Sequence, residues 1–105
     1  MAGLSWAEPA LSDLNEIADY IALEDPEAAR VLVQRIFSAV ERLERHPNSG
    51  KVPVELEGGR YREVICGPSR IFYRHVKDQV LILYVMRSER ELRNFMLEDR
   101  DDRGS

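Results

Sequence analysis

Three β-rich runs, Tyr61 to Cys66, Ser69 to Val76 and Gln79 to Met86, are separated only by Gly67-Pro68 and Lys77-Asp78. A two-residue connection cannot carry the chain from one end of a strand back to the other. Consecutive runs must therefore lie antiparallel, and the second half of the chain is predicted to be a three-stranded meander. Such a meander is marginal in water unless its apolar side is covered.

The first half of the chain supplies the cover. A short apolar run, Leu4 to Ala7, reads as a strand leading into a helix that has Pro9 in its first turn. Ala10, Leu14, Ile17, Ala18 and Ile21 then recur at helical spacing, and Asp13, Glu16 and Asp19 fall largely on the remaining surface. Glu24-Asp25-Pro26-Glu27 is a stop and restart, with Asp25 placed to cap the next helix and Pro26 at its first position. In that second helix Ala29, Leu32, Val33, Ile36, Phe37, Val40 and Leu43 hold the helical period until the breaker cluster His46-Pro47-Asn48-Ser49-Gly50. After the connection Lys51 to Gly59, the meander begins. The expected fold is α+β with two layers: an N-terminal strand and an α-helical hairpin packed on an antiparallel β-meander.

Beyond the meander, Arg90 to Asp102 is highly charged but carries Leu92, Phe95 and Met96 at the spacing of a short helix. The reading is a loosely packed helical turn. One domain is expected over residues 1–98, since 105 residues leave room for a single modest core, and residues 99–105 are expected to be a disordered tail. A composition 44% hydrophobic and 32% charged fits a globular chain rather than a disordered one. No run approaches the roughly 20 apolar residues of a membrane span, and Met1 to Trp6 lacks the regions of a signal peptide, so the expected location is the cytoplasm. The single cysteine, Cys66, has no partner for a disulfide or a metal set and reads as a small buried hydrophobe; neither metal nor cofactor is expected.

A net charge of -4 argues against a protein that lives on nucleic acid. The distribution is more informative: Met1 to Gly59 holds five basic against eleven acidic residues, whereas Arg60 to Arg93 holds eight against four. Strand alternation puts Arg70, Phe72 and Arg74 on one face of the sheet and Ile71, Tyr73 and His75 on the other. Ile71 and Tyr73 suit the helix-covered side, which turns Arg70 and Arg74 toward an open basic face. Arg70 itself has two readings, a contact with a partner or an ion pair with Glu63 across the meander. Tyr61, Tyr73 and Tyr84 read as packing residues, His75 as a structural or surface histidine, and His46 as a partner for terminal carbonyls of the second helix.

Several words in order carry a resemblance. They are Trp6-Ala7-Glu8-Pro9-Ala10 followed by Asp13-Leu14-Asn15-Glu16-Ile17-Ala18-Asp19-Tyr20-Ile21; Leu43-Glu44-Arg45-His46-Pro47-Asn48-Ser49-Gly50; Tyr61-Arg62-Glu63-Val64; Gly67-Pro68-Ser69-Arg70-Ile71-Phe72-Tyr73-Arg74; and Val80 to Met86. Together they cover nearly the whole chain, which resembles the ParE/RelE toxin superfamily of type II toxin–antitoxin systems and looks closer to its ParE branch. The resemblance implies a sheet whose first strand lies beside its last. It implies a cognate ParD-like antitoxin that wraps the toxin and contacts operator DNA, so that the toxin meets that DNA only indirectly.

For the ParE branch the implied target is DNA gyrase, bound and blocked by a toxin that is no enzyme itself. The alternative is the RelE activity, cleavage of messenger RNA on the ribosome, which needs proton-transfer groups as well as cations. Arg70, Arg87 and Arg90 would supply cations, but the stretch where the nucleases place a Tyr or His reads Arg90-Glu91-Leu92-Arg93-Asn94-Phe95, and Phe95 can neither give nor take a proton. No catalytic residue is therefore assigned. Arg70, Arg74, Arg87, Arg90, Arg93 and Phe95 are the expected contacts with target or antitoxin.

Overall fold

The computed structural model describes the backbone of residues 1–56 and 58–104, and side chains within that span as far as Asp101. Its elements run β1 (Gly3–Trp6), α1 (Glu8–Ala22), α2 (Pro26–Glu41, continued by a 3₁₀ turn, Arg42–Glu44), β2 (Arg62–Cys66), β3 (Ser69–Val76), β4 (Gln79–Arg87) and α3 (Asn94–Gly104). The sheet order is β1-β4-β3-β2, with β1 parallel to β4 and the other pairs antiparallel. The fold is α+β, as the sequence predicts, and the first strand lies beside the last.

Local chemistry explains the boundaries. Asp25 caps α2, its Oδ1 accepting the Ala28 N–H at 3.0 Å, and Pro26 follows where a missing N–H costs nothing. The β2–β3 turn has Gly67 at φ 56° followed by Pro68, the order a two-residue hairpin needs when its first central residue must be left-handed. In the β3–β4 turn Lys77 occupies the same left-handed region at φ 56°. The breaker cluster is pinned from the sheet: the buried Tyr73 hydroxyl accepts the Gly50 N–H at 2.9 Å and donates to the Pro47 carbonyl at 2.7 Å. Gly50 must be glycine there, because a Cβ would lie 2.6 Å from that hydroxyl and 2.8 Å from the Glu63 carbonyl oxygen.

The principal core lies between the helical hairpin and the sheet. Ala10, Leu14 and Ile17 of α1 and Leu32, Ile36 and Val40 of α2 meet Ile71, Tyr73, Val80, Ile82 and Val85. Trp6 closes one end of this layer, its ring 5.3 Å from that of Phe37. A bulge interrupts strict alternation: Phe72 pairs with Tyr84 and Tyr73 with Ile82, so Leu83 is the extra residue. Leu83 and Tyr84 consequently belong to the same side of the sheet, away from the hairpin.

That second side departs from expectation. It is covered, not open: Tyr61, Phe72, Leu83, Met86, Leu92 and Leu97 form a second buried cluster beneath α3 and the connection after α2. The helical register of α3 places Leu97 inward at 0% exposure and leaves Phe95 68% exposed, so of the Leu92, Phe95, Met96 stripe Leu92 and Met96 pack against the second core, joined by Leu97, and Phe95 does not. Of the tail expected to be disordered, residues 99–104 continue α3, with Asp101 buried; Ser105 lies outside the described residues. No helix of the described residues is long and apolar enough to cross a membrane, and among those residues no cluster of His, Cys, Asp and Glu could hold a metal ion.

A docked α3 and a loosely packed helical turn differ in one measurable respect. Leu97→Ala is expected to cost about 2–5 kcal/mol, the usual range for truncating a buried leucine, and to lower the thermal midpoint by about 8 °C or more (roughly 4–8 °C per kcal/mol for a domain of this size). A midpoint unchanged in differential scanning calorimetry would mean that α3 does not close the second core.

Candidate binding site

On α1, burial of Ala10, Leu14 and Ile17 turns Asp13, Glu16 and Tyr20 toward one edge, where the helix stands beside β4. Between them runs a trough. Its largest part, about 1080 Å³, extends from Trp6 and Glu8 along Ser12 and Asp13 to Tyr84, Arg90 and Arg100. It continues through hollows of about 280 and 170 Å³, lined by Ile17, Tyr20 and Arg87 in common, and ends at Pro68, Ser69 and Glu89.

The floor is fixed by a partly buried polar knot. β1 pairs with β4 only as far as Ile82, whose carbonyl takes the Ala7 N–H, and the next outward amide of β4, Val85, is capped by Asp13 Oδ2 at 3.0 Å. Asp13 is in turn ion-paired with Arg100, whose Nη2 donates to Oδ1 at 3.0 Å. The same guanidinium donates to the Leu83 carbonyl at 3.1 Å and lies 3.5 Å over the Tyr84 ring. One arginine of α3 thus ties α1 and β4 together, and its carboxylate partner is fully committed.

Above this floor the cations differ. Arg87 lies 4.9 Å over the exposed Tyr20 ring and pairs with Glu89 at 2.6 Å. Arg90 lines both larger hollows and has no ion pair among the described residues. Arg93 pairs with Glu91 at 3.3 Å and is well exposed. Ser69, fully buried at the far end, has an Oγ without a hydrogen-bond partner among the described residues.

Of the six residues predicted as contacts, Arg87 and Arg90 come together at the trough, Arg93 and Phe95 lie exposed beyond it, and Arg70 and Arg74 are elsewhere. Alternation placed Arg70 and Arg74 on the correct face, away from the hairpin, but that face is covered and the expected open basic surface is not there. Arg70 is only 9% exposed; its Nε and Nη2 reach Glu63 Oε2 at 2.9 and 2.6 Å, and its Nη1 and Nη2 reach the two carboxylate oxygens of Glu55 at 2.7 and 2.9 Å. The pairing with Glu63 across the meander is the arrangement found, and Glu55 makes it a bidentate clamp over the Phe72 ring. Arg74 donates to the buried Asp101 at 2.7 Å, a carboxylate shared with Arg60 and with the Tyr61 hydroxyl at 3.3 Å. Burial, and then the nearby Asp101 charge, pushes the Tyr61 phenol upward.

His75 Nδ1 lies 2.9 Å from Asn48 Oδ1, which fixes the ring at the end of the sheet. The sequence reading missed Asp13, Tyr20, Tyr84 and Arg100 as site residues. The first two stand in the polar stripe of α1, where nothing but position separates them from solvated neighbours. Arg100 falls in a stretch that reads as tail.

The arrangement is a small α+β domain: a mixed sheet between a helical hairpin and a C-terminal helix, with a long trough lined by Arg87, Arg90, Glu8 and Glu16 over a floor where Asp13 and Arg100 neutralise each other. The chain belongs to the ParE toxin family of type II toxin–antitoxin systems, whose model it matches over residues 4–92. It is 38% identical over 88 residues to Y4kP of Sinorhizobium fredii, named as a toxin candidate, an alignment covering 84% of this chain and 90% of that protein. With toxin RelE2 of Caulobacter vibrioides it shares 32% identity over 78 residues, or 74% and 84% of the two chains. A chain in the solved structure of the chromosomal ParDE toxin–antitoxin system of P. aeruginosa superposes with a TM-score of 0.70 at 30% identity, covering 85% of this chain and 98% of that one. The resemblance seen in the sequence is thus a family membership, and α3 lies beyond the matched span.

The Arg70 clamp gives an acid signature. Hydrogen bonds from Arg70 hold the Glu55 carboxyl at about 2, below its ordinary 4.5. A carboxyl depressed in the folded state contributes stability that is complete above the unfolded pKa and is lost as pH falls through the folded one. Glu55→Gln should therefore cost about 1–2 kcal/mol at neutral pH, the clamp being partly solvated. In urea titrations the gap to the unsubstituted protein should close between pH 4.5 and 2. A gap that stays constant across that window would show that the clamp does not set it.

Proposed function

We propose that this toxin binds DNA gyrase and blocks its cycle, that a cognate ParD-like antitoxin neutralises it in a complex, and that it meets operator DNA only through that antitoxin, all in the cytoplasm. The α1–β4 trough is the proposed target contact, with Arg87 and Arg90 on its rim and Arg93 and Phe95 at its margin. The observation that carries the reading is Arg90: a cation without an ion pair among the described residues, lining a trough where Asp13 is bound to Arg100 and the other carboxylates, Glu8 and Glu16, stand on α1. Family membership supports the toxin role. Phe95, standing where the messenger RNA nucleases place a proton-transfer residue, favours a binding toxin over a nuclease.

Removing the segment after β4 is not a clean test of this contact, because it would strip Leu92, Leu97 and Arg100 from the second core and the floor. A point charge reversal is cleaner. Purified toxin should inhibit supercoiling of relaxed plasmid by gyrase, antitoxin should relieve the inhibition, and Arg90→Glu should raise the inhibitory concentration at least tenfold with an unchanged melting temperature. Cleaved messenger RNA in a ribosome-programmed control, with gyrase unaffected, would sink the gyrase reading in favour of the RelE activity.

A further inference from the structure

Three donors close on one carboxylate under α3. Arg74 Nη1 at 2.7 Å, the Tyr61 hydroxyl at 3.3 Å and Arg60 Nη2 at 3.4 Å all reach Oδ2 of Asp101, which is 2% exposed. The other oxygen, Oδ1, is buried without a hydrogen-bond partner among the described residues, and so is Arg74 Nε. A carboxylate oxygen offers about two lone-pair sites, so three donors crowd one acceptor while its twin has none. Two guanidiniums also face one carboxylate, which leaves the cluster with positive charge in excess. A second carboxylate, Glu98, whose charge is felt at Tyr61, is hydrogen-bonded to Asn94 and stands on α3 as well.

The donors belong to the body of the fold and the acceptor does not. Arg60 and Tyr61 lead into β2 and Arg74 lies on β3, whereas Asp101 is carried by α3, a helix anchored otherwise by Leu97 and Arg100. Arg60 also lies 5.6 Å over the Tyr61 ring, which steadies its guanidinium beside the hydroxyl. If α3 lifted, both acids would leave with it. Two cations and a phenol would then converge on a position holding no anion.

We propose that Arg60, Tyr61 and Arg74 form a binding site for an oxyanion of the phosphate class, and that Asp101 is an internal ligand filling it while α3 is docked. A tetrahedral oxyanion suits these donors better than Asp101 does: one guanidinium edge can take two of its oxygens, and others remain for the second arginine and the hydroxyl. The tether sets the order of preference. A carboxylate held on the same chain competes at an effective concentration on the order of millimolar or above. Phosphate therefore reaches the site when α3 is displaced or Asp101 loses its charge. The site shares no lining residue with the α1–β4 trough and does not depend on gyrase being the target.

The arginine Nε–H signals of the full chain, followed by proton–nitrogen correlation spectra while inorganic phosphate replaces chloride at constant ionic strength, test the proposal. Asp101→Asn keeps the shape of the side chain and removes its charge. It should bind phosphate saturably, with the Arg74 signal shifting and a dissociation constant at least tenfold below that of the unsubstituted chain. Its melting midpoint should rise with phosphate at matched ionic strength, a gain that a misfolded chain would not show. Leu97→Ala, which loosens α3 and leaves the cluster intact, should bind with intermediate affinity. Adding Arg74→Gln to Asp101→Asn should abolish binding. A short oligothymidylate separates the sources: if it displaces phosphate from Asp101→Asn, the site takes a nucleic-acid backbone, and if it does not, the site takes free phosphate or a phosphomonoester. Phosphate affinity no tighter in Asp101→Asn and Leu97→Ala than in the unsubstituted chain, or binding that survives Arg74→Gln, would overturn the proposal.

Discussion

The central strand β3 lies between two cores, yet carries Arg70 and Arg74. Burying a guanidinium without a counter-charge costs several kcal/mol, so each arginine obliges a carboxylate to come to it. Glu63 reaches Arg70 from the neighbouring strand, and Glu55 comes from the connection after α2, which orders that connection against the sheet. Asp101 comes to Arg74 from α3 and brings the helix with it. The cover on the second face is therefore as much an electrostatic requirement as an apolar one. The apolar residues Leu92 and Leu97 fill the space that the ion pairs define.

The same economy governs the trough. Where β1 stops pairing, β4 presents an amide that needs an acceptor, and Asp13 provides it. Asp13 in turn needs a cation, and Arg100 provides that. Asp13 and Arg100 satisfy each other, and among the described residues lining the trough Arg90 is the cation left without an ion pair. A floor so balanced contributes shape and hydrogen-bonding context rather than net attraction. The cations that line the trough above that floor are Arg90 and Arg87, the latter lying over the Tyr20 ring and paired with Glu89.

Much of the first core was legible in the sequence because its signals are local. The hairpin follows from helical spacing, the α2 cap from Asp25-Pro26, and the meander from two turns too short for any other topology. The parallel union of β1 with β4 was available only through the family resemblance, since no local pattern ties Gly3 to Gln79. Alternation assigned Ile71 and Tyr73 correctly but could not foresee the bulge at Leu83, which puts adjacent residues of β4 on one side. Nor could it foresee what covers the other face. In α3 the charges outnumber the apolar positions, and its attachment is carried by Arg100 and Asp101, whose partners are far away in sequence. Long-range ion pairs leave no periodic trace, which is also why Arg70 and Arg74 read as a surface.

The pairing of Gly3 with Gln79 also orders events in time. The first strand to leave the ribosome must wait for the last before it has a neighbour, and α3 emerges later still. Throughout most of its synthesis the polypeptide holds only the helical hairpin and, later, an incomplete sheet with its hydrophobic edges exposed. Closing so long a loop is slow compared with making a hairpin. The sheet is therefore complete only when nearly all of the chain has been made.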